Sequence, residues 1–453
     1  WLSTDPVGEL VGDLPWQGFR LQTTLKPIRK PGSEVVIFGV RFAPVGDDNA
    51  KIYPGAWPPV FETETIPQGV KVWWPEPPDD VKGSLPRGAY ESLAEAIKAL
   101  KPGDEIQIRH SGPIAVPPTV FALKFPVAVR PDPNVAPILI ASPKQQDGKL
   151  FQVDGGELRL EKLDIRLRAK GESLRDLRSR SAVVVNAGRC VLRDCVVTAD
   201  DGDGADAEKL AVVTVADPDG DMKPAGPDGS PEVRIENSLL RGACRAVWVQ
   251  AARPADVQVT NTVAALTGPL LAVGPPARPL NGGAVHARLN RVTAATVGPA
   301  FEFHTGRAAG TKVVPWSPVL VAAERCVFVP VGAAATLLGV TSPEPSADLE
   351  KYLGWRTGDG PNWYPDRDRP TALFAEIAPA DDTVTPRQVH GDGWFAFTGE
   401  RPTQAAKVTF VTAVPRRLAT VSGSDFKVSE TAVPGAKPAD AGADVTKVAV
   451  PGS

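Results

Sequence analysis

Two stretches of the chain concentrate carboxylates. "TADDGDGADAE" gathers Asp200, Asp201, Asp203, Asp206 and Glu208, and "ADPDGDMKPAGPDG" sets Asp217, Asp219 and Asp221 at alternate positions. Hard cations such as Ca²⁺ take several oxygen ligands from flexible loops, and alternating Asp can supply them. Asp217, Asp219 and Asp221 are therefore the candidate metal ligands, and Ca²⁺ is the only cofactor the sequence raises. Met222 stands where a calcium loop carries Gly, and the terminal Glu is absent. Two solvated corner loops and no cofactor is the simpler reading.

Aromatic residues gather beside polar ones in "YLGWRTGDGPNWYPDRDR" and "HGDGWFAF". A flat ring can stack on a sugar face while neighbouring groups bond its hydroxyls, because the ring is apolar and its rim is wet. This makes Trp355, Arg356, Asp359, Trp363, Tyr364, Asp366 and Trp394 the candidate ligand-binding set. The plainer alternative is that the rings cover the ends and flanks of a repetitive fold. Trp73 and Trp74 form a smaller aromatic pair. The run "RLRAKGESLRDLRSRS", Arg166 to Ser181, is basic and could contact an anion, though a solvated loop explains it as well.

The four histidines, His110, His286, His304 and His390, are far apart, and no HExxH or Ser-His-Asp signature accompanies them. Cys190, Cys195, Cys244 and Cys326 form no CxxC pair, so a zinc site is not expected. They read as small buried core residues, with a disulfide between spatial neighbours left open. No catalytic residue is assigned.

The elements that would position these groups are mostly short strands. Of the 453 residues, 47 are Pro and 42 Gly, which favours many turns over long helices. "FRLQTT", "SEVVIFGVRF" and "VKVWWP" alternate apolar and polar residues as strands do. They place a β-rich region at 1–85. In "AYESLAEAIKALKPGD", Leu93, Ile97 and Leu100 form one apolar stripe that Lys101-Pro102-Gly103 ends, predicting a short helix at about 90–101.

From about residue 150 a phrase recurs: "LEKLDI", "LRDCVV", "IENSLL", "VTNTVA", "LNRVTA" and "AERCVF". Its first column is Leu160, Leu192, Ile235, Val259, Leu289 and Ala323. Three residues on stand Leu163, Cys195, Ser238, Thr262, Val292 and Cys326. Successive starts lie 32, 43, 24, 30 and 34 residues apart. A fixed phrase at a variable period predicts a β-solenoid, whose inward residues stack while its corners accept insertions. The second strand of each repeat reads as "AVVVN", "AVWVQ", "PLLAV", "AFEFH" and "ATLLGV". A sandwich would need hairpin turns, yet Asn-Gly occurs once, at 281. A propeller would need a regular blade length. The predicted fold is all-β: a parallel β-helix, with an N-terminal β-rich region and one capping helix.

The formal net charge of −3 gives no global argument for nucleic acid or an anionic membrane. No apolar run reaches the roughly 18–20 residues of a membrane span. The chain opens on Trp1 rather than Met, so a processed or excised piece is expected.

This layout resembles the right-handed parallel β-helix proteins of the pectin-lyase-like superfamily. In that family a short helix commonly caps the first coil, as "AYESLAEAIKALKPGD" would. "DFKVSETAVPGAKPADAGADV", Asp425 to Val445, resembles the family's closing phrase, with Lys437-Pro438-Ala439 in place of Ser-Pro-Ala. "SLAEAIKALKPGDEIQIRHSGPIAV", "LRLEKLDIRL" and "WRTGDGPNWYPD" are similar to β-helix regions of large planctomycete surface proteins, some attached to serine/threonine kinases. No kinase motif lies in this chain. The resemblance covers 86–445, which would be the β-helix, and leaves 446–453 as a tail.

Many members of that superfamily cleave acidic polysaccharides. The polygalacturonase pattern is Asn-Thr-Asp, then Asp-Asp, then Gly-His-Gly. Here "NTV" at 261 follows Asp200-Asp201 and His304 sits in "FHTG", so that mechanism does not carry over. The expectation is a non-catalytic extracytoplasmic module, at the cell surface, in a periplasm or secreted, that binds carbohydrate or a cell-surface partner. It could form the sensor ectodomain of a larger membrane protein. A polysaccharide lyase or glycoside hydrolase and a structural or adhesive surface protein are the alternatives.

Overall fold

The recurring phrase bends because its third residue takes a left-handed backbone. Lys162, Asp194, Asn237, Asn261, Arg291 and Arg325 have φ of 54°, 53°, 49°, 44°, 55° and 54°. A left-handed conformation costs a non-glycine residue about 1–2 kcal/mol. The next residue helps to offset that cost where it is small and polar. Ser238 Oγ and Thr262 Oγ1 donate to the carbonyls of Glu236 and Thr260, two residues back, at 2.8 and 2.9 Å. Cys195 and Cys326 make the weaker thiol version to Arg193 and Glu324, both at 3.3 Å. The small-residue column is thus a set of braces across a bend.

The computed structural model describes residues 66–79, 81, 85–141, 148–168, 179–200, 204–217, 230–251, 253–274, 284–304, 319–331, 336–342, 348–364, 372–379, 385–400, 408–410, 417–431 and 442–450. Four short N-terminal strands complete the description. The chain divides into two compact units, Trp1–Thr65 and Ile66–Ser453. In the first, Ser3–Thr4, Glu9–Val11, Phe19–Gln22 and Ala43–Pro44 pair antiparallel in chain order. The expected strand "SEVVIFGVRF" lies outside the described residues.

The second unit is all-β with long parallel sheets, an architecture compatible with a β-helix or another solenoid. The first column of the phrase is its register: Leu160 pairs with Leu192, Leu192 with Ile235, Ile235 with Val259, Val259 with Leu289 and Leu289 with Ala323. A second stack runs Val183, Val213, Val247, Leu271, Phe301 and Leu338. A third runs Leu139, Ile165, Val197, Leu240, Ala264, Ala294 and Phe328, in an eight-stranded parallel sheet. All three stacks are buried in one continuous core. Like side chains meet like across each parallel pair, so each repeat buries the apolar face its neighbour cannot cover alone.

Three features depart from the expected boundaries. Val70–Trp73 pairs in parallel with Glu105–Ile108, so this segment belongs to the parallel sheet and the unit begins at Ile66 rather than after residue 85. The helix is Leu93–Lys98, with Leu93 and Ala96 buried and Ile97 and Leu100 packed at the edge of the core. The C-terminal segment is no free tail. Val196, Leu239, Val263, Ala265 and Ala295 form the outer face of the eight-stranded sheet, and Leu418, Val421, Phe426, Ala443 and Val448 cover it. Gly442 N–H donates to Arg325 O and Ala449 N–H to Asn237 O, each at 2.9 Å, so the closing phrase docks on the left-handed bends.

The four thiols are free and buried. Among the described residues, no helix is long and apolar enough to cross a membrane.

Candidate functional site

The expected aromatic set is largely interior. Trp363, Tyr364 and Trp394 have no exposed surface and Trp355 is 9% exposed. Trp355 meets Trp394 edge-on at 5.3 Å, and Trp394 stacks on Phe374 at 5.7 Å. Tyr364 stacks on Phe328 at 5.7 Å. Trp363 packs with Val327 and Val428. These rings cover one another, as the flank-covering alternative expects, and leave no face for a sugar. Arg356 and Asp359 are exposed, and Asp366 lies outside the described residues.

Glu400 is the polar centre of that aromatic packing. Its Oε1 accepts from Trp355 Nε1 at 3.1 Å, Thr357 Oγ1 at 3.0 Å and Asn362 Nδ2 at 2.9 Å. Its Oε2 accepts from Tyr364 OH at 2.6 Å. Four donors satisfy a carboxylate that is only 5% exposed. Burial, and then the Glu400 charge beside it, push the Tyr364 phenol well above its ordinary range. This arrangement ties Trp355, Asn362 and Tyr364 to one buried carboxylate, with Thr357 the exposed donor.

Among the described residues of the acidic loops, the carboxylates face arginines. Asp217 faces Arg253 at 3.6 Å, and Asp219 and Asp221 lie outside the described residues. Asp206 forms an ion pair with Arg168, which ties the stretch "TADDGDGADAE" to the basic run. At the other end of that run Arg180 is buried and donates to Leu167 O at 3.3 Å. Among the described residues, no three His, Cys, Asp or Glu side chains are grouped to hold a metal. His286 and His304 sit on strands that do not pair with each other: Val285–Asn290 pairs with its neighbours at 255 and 319, Phe301–His304 with those at 271 and 338.

Sequence reasoning did not single out the constellation on the outer face of the second stack. Trp248 pairs with Ala272, and Ala272 with Glu302. Three consecutive repeats therefore set an indole, a small floor and a carboxylate in one column. His304 Nε2 lies 3.3 Å from Glu302 Oε1, and Arg245 Nη2 lies 3.8 Å from Glu302 Oε2. The Arg245 guanidinium also sits 4.5 Å from the Trp248 ring centroid, a cation–π distance. Its Nη1 donates to Glu208 O at 3.2 Å, while its Nε is buried without a hydrogen-bond partner.

Burial works against the charge on Glu302, but the His304 hydrogen bond, the His304 charge and Arg245 outweigh it and hold the carboxyl below its ordinary range. Burial likewise works against the charge on Arg245, with Glu302 and Glu208 offsetting part of it. The group therefore offers fixed charge and a ring edge. A signal for it was in the sequence. Once "RAVWV", "PLLAV" and "AFEFH" are laid in register, Trp248, Ala272 and Glu302 fall in line.

No family model, curated protein or solved structure matches the chain.

Proposed function

We propose that the chain is a right-handed parallel β-helix of the pectin-lyase-like kind, acting outside the cytoplasm as a non-catalytic module that binds carbohydrate or a cell-surface partner. The observation that carries this reading is the Arg245–Trp248–Glu302–His304 group. It joins a half-buried indole to a donor-rich guanidinium and a fixed carboxylate on an outer sheet face, the mixture that sugar recognition uses. The resemblance to planctomycete surface proteins fits a sensor or adhesive ectodomain.

A catalytic reading has one observation in its favour. Glu302 pairs with Gly339 and Gly339 with Glu376, so two carboxylates share a column two strands apart. Two strand spacings are about 9.5 Å, at the upper end of the separation in inverting glycosidases. Such an enzyme needs a general acid with a raised pKa, whereas Glu302 is ion-paired and held low. The binding reading is therefore preferred.

The test is titration with neutral and acidic oligosaccharides, with product release assayed in the same samples. Binding without turnover, weakened at least about tenfold in W248A and less in W248F, supports the module. Turnover lost in E302Q or E376Q overturns it in favour of an enzyme. Absence of any binding leaves the structural or adhesive reading.

A further inference from the structure

The outer face of the first stack carries columns of charge whose balance changes along the sheet. In "ELRLE" and "EVRIE", Glu157 precedes Arg159 and Glu232 precedes Arg234 by two residues, on the same face. Both arginines bond those glutamates. Arg189, between them in register, bonds Glu157 at 2.8 Å and Glu232 at 2.6 Å. Arg193 continues the network to Glu161 at 3.7 Å and Glu236 at 2.9 Å. Each guanidinium in this half of the sheet has a carboxylate.

The same register continues through Gln258, Arg288, Ala322 and Arg356. Here the partner positions two residues earlier hold Asp256, His286, Leu320 and Gly354. From Arg288 onward the acidic partner is gone, replaced by His, Leu and Gly. Arg288 and Arg356 are exposed, and neither has a carboxylate within ion-pair distance among the described residues. The nearest acidic column holds Glu324, which faces Arg325 at 3.5 Å.

A depression of about 370 Å³ opens at this point, lined by His286, Arg288, Leu320, Ala322, Gly354 and Arg356. Its floor is low at Ala322, where the three preceding repeats carry Arg234, Gln258 and Arg288, while the Leu320 side chain lies over Gly354. Its two guanidinia flank Ala322 two strands apart, about 9.5 Å along the sheet. A planar guanidinium grips sulfate, phosphate or carboxylate through paired N–H donors.

We propose that this depression is a two-point oxyanion site, in which Arg288 and Arg356 hold two anionic groups of one extended ligand across the Ala322 floor. The site lies apart from the Trp248 group and does not depend on it. Its ligand carries oxyanions about 10 Å apart, and loses affinity as salt screens the two exposed cations.

The test is calorimetric titration of the whole chain at low ionic strength with a sulfated oligosaccharide, its uncharged parent and inorganic sulfate. The sulfated oligosaccharide should bind more tightly than the uncharged parent, and that excess is what the variants read. R288Q and R356Q should each weaken binding about five- to tenfold, and the double variant should abolish it. A322E, which sets a carboxylate between the cations, should abolish it too. R159Q, in the neutralised half, should stay within about twofold of the parent chain. Thermal unfolding midpoints check that all variants fold. Failure of the sulfated oligosaccharide to bind overturns the site, as does an equal loss in R159Q. Inorganic sulfate binding as tightly as the oligosaccharide overturns the two-point grip.

Discussion

Asn261 is where the bend and the closing phrase meet, and replacing it separates their contributions. Its backbone is left-handed, at φ 44°, and it is 6% exposed. Its Nδ2 donates to Asn237 Oδ1 at 2.9 Å and to Asp444 O at 3.4 Å, and its Oδ1 accepts from Asp444 N–H at 2.6 Å. Ala would lose all three bonds, one of them long, at about 1 kcal/mol each, and would add a left-handed penalty of about 1 kcal/mol. N261A should therefore cost about 2–4 kcal/mol. Gly loses the same bonds but tolerates the backbone, so N261G should be less destabilised than N261A by about 1 kcal/mol. N261D keeps an acceptor for Asp444 N–H but turns a second acceptor toward Asn237 Oδ1, and should fall between the parent and N261A. Urea denaturation ranks the variants, and amide exchange at Asp444 supplies the local readout, because only that N–H loses its acceptor. If N261G is no more stable than N261A, the bend is not what Asn serves. If Asp444 exchange is unchanged in N261A, the closing phrase is not anchored there.

Gly242 has φ 96° and lies against Ala199, whose carbonyl an added Cβ would strike. G242A should cost about 3 kcal/mol or more by denaturation, whereas G103A, at φ 90° with open space around it, should cost only about 1 kcal/mol. Burial pushes the thiols of Cys195, Cys244 and Cys326 up to about 12, and that of Cys190 further, with Cys195 nearby adding to it. All four should resist a thiolate-trapping reagent until denaturant is added, and rapid labelling of the native chain would contradict this packing. Tyr364 has a raised phenol pKa, so its contribution to stability is complete below the ordinary tyrosine range near 10 and is lost as pH rises toward the higher folded value. Phenolate absorbance should show a tyrosine that ionises only as the alkaline unfolding transition occurs, and Y364F should remove that late step.

The repeat was legible because register in a parallel stack is written in like residues at like positions. Leu160, Leu192, Ile235, Val259, Leu289 and Ala323 could be aligned without knowing what they touch. The left-handed bend was less visible. Its position is filled by Lys, Asp, Asn, Asn, Arg and Arg, because the stack around it fixes the backbone and only two of the six carry the side chain best suited to it. The boundary near residue 85 was misplaced because Pro-rich loops punctuate a sheet as readily as they separate domains. The aromatic residues fit either a sugar site or a cover for the fold's flanks on composition alone, and Glu400 lies far enough along the chain that nothing nearby announces a buried acceptor for Trp355, Asn362 and Tyr364. The Trp248 column shows only when the second strands of successive repeats are set side by side, because no single strand carries more than one of its members.

The sheets differ in what their outer faces can do. "VVTA", "LLRG", "VAAL" and "TAAT" are buried on both sides, with the phrase around Ala443 and Val448 lying over them. A strand with two apolar faces requires a cover, and the C-terminal segment supplies it, so that face is closed to ligands where it is covered. The outer faces of the other two stacks alternate buried and part-exposed residues and carry the charge. Exposed ion pairs stabilise by about 0–1 kcal/mol each, so the Glu-x-Arg columns contribute little to holding the fold. Their larger effect is on the surface field: neutral through Glu157–Glu236, then positive where Arg288 and Arg356 lose their partners. That change is set by which residue stands two places before each arginine, and it separates a face that only packs from a face that can recognise an anion.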